Sequence, residues 1–392
     1  MDIWVLNKDY QVSSIIDSYV SFIWTERRNA YGDFELVISD SHATRERFSD
    51  GSLITHAGTN RVMFVDSVLA TDVDTEEGAL SALKVTGKSL ESKLQDRSAE
   101  PNLTVTKDKV AFSITGSPAE NIHELFRIAV GGGSAFPDDI LPWFSLDSWD
   151  LGRTIPLPPE PVTFEIPEGD SYSAIKAFAD MYTLGFGIVR TVLPDYTARI
   201  HPVIYTGDDR TTRQTENEPV LFSPEFGNLV GVTELLSSSS LKNVAYVRAQ
   251  NGYAIVTPNG EPPAKGFERR VLNVKADDIT LEAGPQLELA LTVRGREELA
   301  KHRSLWAVDG EIPQNSNLIY GKNYNLGDLV EVRNRLGSGS VMRIEEQIFS
   351  SDRNGARAYP TLVTDELLIP GTWAAWPPAQ DWVDAPGTWI DL

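Results

Sequence analysis

In the run Asp33-Phe34-Glu35-Leu36-Val37-Ile38-Ser39, apolar side chains return at every second position, with Phe34, Leu36 and Ile38 on one face and Glu35 and Val37 on the other. A period of two defines a half-buried strand, because successive side chains of an extended chain point to opposite sides. Similar short segments lie at 19–24, 61–69 and 80–86, and turn-forming runs at 30–33, 57–60 and 72–78 separate them. The last of these, an acidic tip, is too polar to bury. Short strands joined by tight turns pair with their sequence neighbours, so residues 1–97 read as antiparallel hairpins that build a small barrel or sandwich.

From residue 98 the pattern changes. Ser117 stands as a cap before Pro118 at the first helical position and Glu120 in the first turn, and Ile122, Leu125, Phe126 and Ala129 then follow at helical spacing until Gly131-Gly132-Gly133 stops the run. A second helix is expected over 171–182, with Tyr172, Ile175, Phe178 and Ala179 inward, and after it a hairpin, 186–191 with 196–200, turning at Pro194-Asp195. Residues 134–163 are proline-rich and carry Trp143 and Trp149, which predicts an irregular, partner-facing excursion.

Strands resume near 219, at 221–222, 229–235, 243–250 and 253–257, with Asn251-Gly252 as the strongest hairpin signal in the chain. Residues 285–304 are the longest helical candidate, weakened at its middle by Gly295, and strands 329–333 and 341–349 flank Asn334-Arg335-Leu336-Gly337-Ser338-Gly339-Ser340. The fold class is therefore mainly β with α/β insertions. The expected domains are 1–97 (β), 98–218 (mixed α/β), 219–275 with 308–366 (β), 276–307 (a helical insertion) and 367–392 (an arm).

That arm has a composition of its own. Pro-Gly-Thr-Trp occurs twice, and Trp373, Trp376, Trp382 and Trp389 make four of the nine tryptophans. Disordered tails are polar, whereas tryptophan is enriched where partners bind. The segment reads as an extended arm whose indoles dock on a neighbouring subunit.

Composition narrows the function. A chain of 392 residues with 41% hydrophobic content buries about three quarters of its unfolded surface. The 56 acids outnumber the 35 Lys and Arg for a net charge of −21, which opposes any electrostatic grip on nucleic-acid phosphates. Cysteine is absent, which removes disulfides, thiolate metal sites and a Cys nucleophile. With no apolar run of the roughly 18 residues a membrane span needs and no basic, cleavable start, the expectation is a soluble protein not exported by the general secretory route.

Catalytic motifs are not recognisable. Thr86-Gly87-Lys88-Ser89 lacks the upstream glycine of a phosphate loop, since position 82 is Ala, and reads as a strand end running into a short helix. Gly185-Phe186-Gly187 lacks the third glycine of a dinucleotide fingerprint. His42, His56, His123, His201 and His302 have no second ligand at three or four residues, and no Gly-x-Ser-x-Gly elbow occurs. Glu26 and Glu35 are a conceivable glycosidase pair, which would need carboxylates about 5–10 Å apart, though 56 acids make such pairs common. Asp72, Asp74, Glu76 and Glu77 could face a cation but miss the glycine and terminal glutamate of a calcium loop. No catalytic residue, cofactor or metal site is assigned.

The segments IIDSYVSFIWTERRNAYGDFELVIS, ALKVTGKSLESKLQDR, GNLVGVTELLSSSSLKNVAYV and YNLGDLVEVRN resemble the minor tail proteins that form the baseplate hub of long, non-contractile-tailed bacteriophages, especially those of actinobacteria. The resemblance runs over about residues 1–366 and leaves the tryptophan arm outside. It implies a homotrimer in which each subunit contributes two related antiparallel β-barrel domains to a ring that continues the tail tube at the tail tip of the virion. The implied neighbours are a distal tail or tube protein, the tape measure protein and other tip or fibre proteins, with DNA passing unbound. It also suggests that Trp24 packs at a strand-to-turn junction of the first barrel while Arg27 and Arg28 pair with acids of the same or a neighbouring subunit. Trp24, Arg27, Arg28, Trp143, Trp149, Trp373, Trp376, Trp382 and Trp389 are thus the candidate interface residues. Lys242-Asn243 and 323–328 would be turns and strand starts of the second barrel. Tripled, the charge of −21 reaches about −63 per ring, and acids lining a channel would repel DNA within the roughly 8 Å reach of electrostatics at physiological salt. Two other classes stay open: a receptor- or carbohydrate-binding tail protein using the exposed tryptophans, and a tail-associated peptidoglycan hydrolase.

Overall fold

The computed structural model describes residues 1–48, 52–75, 78–100, 113–133, 137–146, 150–152, 161–166, 169–258, 262–276, 279, 281–300, 302, 304–313, 316–333 and 339–364. Two compact units emerge, one from residues 1–232 with 309 onward and one from Thr233–Val308.

In the first unit the expected hairpins form. Ser21–Arg27 pairs with Asp33–Ser39, Asp33–Ser39 with Gly78–Ser89, and Gly78–Ser89 with Met63–Thr75, all antiparallel. Phe34, Leu36 and Ile38 are buried as their alternation requires, among Ile3, Val5, Phe22, Trp24, Ile54, Met63 and Val85. Val37, on the opposite face, is buried too.

Three short strands, Ile3–Leu6, Val12–Ile16 and Leu53–His56, and one helix, α1 (His42–Arg47), stand where no element was expected. Their signals are weak for physical reasons. All four residues of Leu53–His56 are buried, so no polar face marks a period. The alternate side chains of Ile3–Leu6 enter two different cores, Ile3 and Val5 one, Trp4 and Leu6 the other. Helix α1 buries nothing and depends on its cap, where Ser41 Oγ accepts the Thr44 amide and Thr44 Oγ1 accepts the Ser41 amide.

The second core belongs to the inserted α/β region. Helix α2 (Pro118–Ala129) starts on the Ser117–Glu120 capping box, as expected, and α3 (Ser171–Met181) on Asp170. Both pack Ile122, Leu125, Phe126, Ile175 and Phe178 into one cluster with Phe186, Ile188 and Ile200 of the hairpin Gly185–Val192 and Ala198–Tyr205. Leu6, Leu53, Val62, Phe64 and Leu90 join the same cluster, so the N-terminal strands are the floor on which this region sits.

The C-terminal strands return to the first sheet. Gly339–Asp352, fourteen residues long, pairs over residues 342–352 with Gly355–Thr364. Its other edge is shared, residues 339–343 pairing with Leu329–Arg333 and 346–352 with Ser21–Arg27. A bulge between Ile344 and Glu346 divides the two pairings. Among the described residues thirteen strands thereby form one sheet, running from Val230–Ser237 to Val12–Ile16. That path is open at both ends. The protein is mainly β, and no closed barrel is seen among the described residues where 1–97, and 219–275 with 308–366, were expected to form two.

The second unit is a three-stranded sheet, ordered Gly252–Val256, Val244–Ala249, Val271–Lys275, with helix α4 (Pro285–Ala300) on one face. The Asn251-Gly252 turn sits where expected, Ala249 facing Gly252. Strands that the sequence grouped with a barrel, and the helix it placed in an insertion over 276–307, here share one core of Ala245, Val247, Val256, Leu287, Leu291 and Leu299. Leu287, Leu291, Gly295 and Leu299 lie at successive i+4 positions, so Gly295, which weakens the helix locally, is where α4 approaches the sheet. A Cβ added there would stand 2.7 Å from Val256 Cβ and 2.9 Å from Val247 Cγ2.

Helix propensity alone favours Gly295→Ala by about 1 kcal/mol. The close approach reverses that sign. Gly295→Ala is expected to lower the calorimetric melting temperature; an increase would mean that helix and sheet can separate at no cost.

Candidate functional site: a buried ionic junction between the first and last strands

The stretch Trp24-Thr25-Glu26-Arg27-Arg28 lies where the N-terminal strands meet the last ones. Trp24 is not at the strand end but in its middle, opposite Phe349 on one side and Phe34 on the other. It is fully buried, stacked 6.2 Å from Phe34 and edge-on to His56 at 5.1 Å. A residue so enclosed serves its own core and offers no surface to a partner.

Two residues on, Glu26 points to the same side and is also buried. Its Oε1 accepts from Trp24 Nε1 at 3.0 Å and Thr59 Oγ1 at 2.5 Å, and its Oε2 from the Tyr320 hydroxyl at 2.9 Å. Arg61 Nε stands 3.8 Å from Glu26 Oε2, while Arg61 Nη1 donates at 2.7 Å to Glu91 Oε1, which also accepts the Ile188 amide at 2.7 Å. Both carboxylates and the guanidinium are buried. Burial alone would lower the Arg61 guanidinium, but Glu91, Tyr205, Glu26 and Tyr320 together raise it above its ordinary value. Burial and the Glu26 carboxylate push the Tyr320 hydroxyl well up, so it stays a donor.

Glycine makes room for the cation. A Cβ on Gly187 would sit 2.6 Å from Arg61 Nη1, so the second glycine of the incomplete Gly-x-Gly motif serves a guanidinium and no phosphate. Glu26, Thr59, Arg61, Tyr205, Tyr320 and Asp328 line a cavity of about 540 Å³ beside this cluster. Across it, buried Asp328 accepts from Arg210 Nε at 2.7 Å and from the amides of Asp208 at 2.7 Å and Asn325 at 2.9 Å, which fixes the turn expected at 323–328.

The arginines pair within the chain. Arg27 Nε contacts Glu346 at 2.5 Å and its Nη1 contacts Asp33 at 3.2 Å. Arg28 is the more buried, its Nη1 donating to Glu345 Oε1 and its Nη2 to the Thr183 carbonyl, each at 2.7 Å. Glu345 is the residue at the bulge, where an extra residue re-aims a side chain. The next residue, Asn29, adopts a left-handed conformation (φ 49°), donates to Asp180 at 2.8 Å, and accepts the Tyr172 hydroxyl on its carbonyl at 3.3 Å. Arg28 and Asn29 thereby fasten the first strands to the last strands and to the inserted helices together.

Other candidates lie elsewhere. Trp143 is half exposed, with positive φ, and donates from Nε1 to Asp9 at 2.9 Å. Trp149, Trp373, Trp376, Trp382 and Trp389 lie outside the described residues, as do the side chains of Asp72, Asp74, Glu76 and Glu77. Glu26 and Glu35 do not make a pair. Glu35 alternates with Phe34, projects to the other face of the sheet and binds Lys84 at 2.8 Å. Among the described residues no three His, Asp or Glu come together as a metal site, and no helix is long and apolar enough to cross a membrane. Sequence patterns missed Arg61, Glu91, Tyr205 and Tyr320, whose only signal, charge or hydroxyl beside small residues, is common everywhere.

The fold defined by this junction is one found in phage tail proteins. The 43 kDa tail protein of prophage MuSo2 from Shewanella oneidensis superimposes with a TM-score of 0.57 at 14% identity, over 93% of this chain and 98% of that one. A tail protein from Neisseria meningitidis MC58 gives 0.56 at 14% identity, over 93% and 96%. The sequence pattern of the siphovirus ReqiPepy6 Gp37-like protein family matches residues 2–362, and the chain belongs to that family. It is a siphovirus tail protein of the virion, as the resemblance implied. No curated protein sequence matches it.

Removing one member of a buried ion cluster leaves its partners unpaired, at a cost of about 3–5 kcal/mol. Arg61→Met should destabilise by that order in urea unfolding, and Glu91→Gln added to it should recover part of the loss; an unchanged midpoint for the single variant would mean the carboxylates have other cations. His56 gives a second prediction. Its Nδ1 accepts the Gly58 amide, and burial chiefly lowers its pKa to about 4, Glu26 partly opposing. The folded protein keeps His56 neutral while the unfolded chain gains a proton below pH ~6.5. Its contribution, about 3 kcal/mol, is therefore complete above pH 6.5 and is lost as pH falls toward 4. His56→Gln should flatten that part of the stability profile; an equally steep profile would assign acid sensitivity to other groups.

Proposed function

We propose that the chain is a structural baseplate hub of the tail tip: a homotrimeric ring that continues the tail tube, meets a distal tail or tube protein and the tape measure protein, anchors tip or fibre proteins and surrounds the channel through which DNA leaves. The observation that carries this reading is the shared fold, which spans 93% of this chain and nearly the whole of a prophage tail protein.

Three features support it. The sheet is open, and its two edge strands expose Val12 and Ile15 at one end and Leu235 and Leu236 at the other, so tube-like walls can be completed between copies. The charge of −21 suits a surface that duplex DNA passes without sticking. The buried charged groups are committed to structure: both oxygens of Glu26 accept hydrogen bonds and Arg61 is held by Glu91, which suits a non-enzymatic role. Half-exposed Trp143 and the C-terminal arm with Trp373, Trp376, Trp382 and Trp389 are the proposed contacts to neighbouring proteins.

Electron microscopy of the purified protein, alone and mixed with solubilised tail tips, is expected to show three-fold rings with a central opening. Monomers in both samples, with no density added to the tip, would refute the hub reading and turn attention to glycan binding.

A further inference from the structure

The two compact units differ in charge. Residues 233–308 hold ten Lys and Arg against nine Asp and Glu, a net +1, so the remaining residues carry −22 of the chain's −21. Within this near-neutral unit two of the ten cations, Arg248 and Lys275, stand side by side on one face of the sheet. Ala245, Val247, Ala254, Val256 and Val274 point to α4, which leaves their alternates on the outer side of the three-stranded sheet. There Tyr253, Arg248 and Lys275 are direct cross-strand neighbours, and so are Ile255, Tyr246 and Asn273 in the next row. Tyr253 is 76% exposed and Ile255 53%. Arg248 and Lys275 are exposed as well, and neither makes an ion pair among the described residues. Arg269 Nη2 donates at 2.7 Å to the Tyr246 hydroxyl and its guanidinium lies 5.6 Å from that ring, a second cation held against an aromatic. Exposed Tyr and Arg side by side are the residues that carry binding energy at protein interfaces.

A complementary surface lies on the acidic unit. Glu216, Glu218 and Glu225 are exposed, again without ion pairs among the described residues, and Phe226, next to Glu225 in the chain, is 61% exposed. The loop that presents Glu225 and Phe226 is stiffened at both ends. Ser223 accepts the Glu225 amide, Asn228 accepts the Ser223 amide and donates to the Leu221 carbonyl, and Gly227 closes the turn in the left-handed region.

We infer that the outer sheet face around Arg248, Lys275 and Tyr253 is an interface for a second copy of this chain, and that it docks on that copy's acidic surface at Glu216, Glu218 and Glu225 with Phe226 against the tyrosines. The argument is charge complementarity between a cationic, aromatic face and an acidic, aromatic one. Because the two surfaces differ, the contact is head-to-tail, the kind that closes into a ring when the rotation permits. The inference rests on the multi-copy reading above and names the surfaces that would join the copies.

Light scattering coupled to size exclusion tests it on the full chain. The parent protein is expected as a multimer that falls apart toward about 1 M salt, where charges act over only about 3 Å. Arg248→Glu with Lys275→Glu, or the triple change Glu216→Lys, Glu218→Lys and Glu225→Lys, should each shift the mass to that of a monomer with an unchanged melting curve, since all five side chains are exposed. Both sets combined in one chain should restore the multimer. Variants that assemble like the parent, or a combination that fails to restore assembly, would overturn this interface while leaving the hub reading intact; a monomeric parent at every concentration would overturn both.

Discussion

Pairing between Ser21–Arg27 and residues 346–352 joins parts of the chain more than three hundred residues apart, and the rest of the first unit depends on it. Until that pairing forms, Trp24 lacks Phe349 on one flank, and Arg27 and Arg28 lack Glu346 and Glu345. The bulge at Glu345 sets the geometry. It ends the pairing with Leu329–Arg333, begins the pairing with Ser21–Arg27, and turns one carboxylate toward Arg28. Such non-local contacts close large loops before they return any energy, so folding of this unit is expected to be slow relative to its helical parts.

Charges this deep are costly unless every lone pair and proton is used. The cluster around Arg61 meets that condition at Glu26, which is filled by an indole, two hydroxyls and a guanidinium, but not at Glu91, which shares one oxygen between Arg61 and a backbone amide and leaves the other without a hydrogen bond. A well-packed apolar cluster could give similar stability. What the ionic cluster adds is register, because a one-residue slip of Ser21–Arg27 would turn Trp24 and Glu26 to the other face and leave Arg61 with Glu91 as its one carboxylate.

Much of the local structure was legible in the sequence. The strand at Asp33–Ser39, the capped start of α2, the hairpin after α3 and the Asn251-Gly252 turn each rest on signals within a few residues. What could not be read is whatever depends on distant partners. Leu53–His56 is buried on both faces and shows no alternation; α1 buries nothing and shows no stripe. Gly295 reads as a helix weakness until Val256 is seen against it, and Gly187 as half a nucleotide motif until Arg61 is. The arginines of the opening stretch were expected to pair with acids of the same or a neighbouring subunit, and only the fold identifies Glu345 and Glu346, far along the chain, as their partners within it.

Net charge adds a last constraint. Copies that each carry −21 repel, which favours solubility and opposes a ring. Assembly then needs a surface where the sign is locally reversed. The proposed one follows from confining the excess acid to one unit and keeping the other, residues 233–308, at +1, with exposed Arg248 and Lys275 in one row with Tyr253. Spread evenly over both units, the same acids would leave no surface on which a second copy gains more from contact than it loses to repulsion. On the proposed interface, the segregation is thus what would allow one chain to be strongly acidic and still associate with itself.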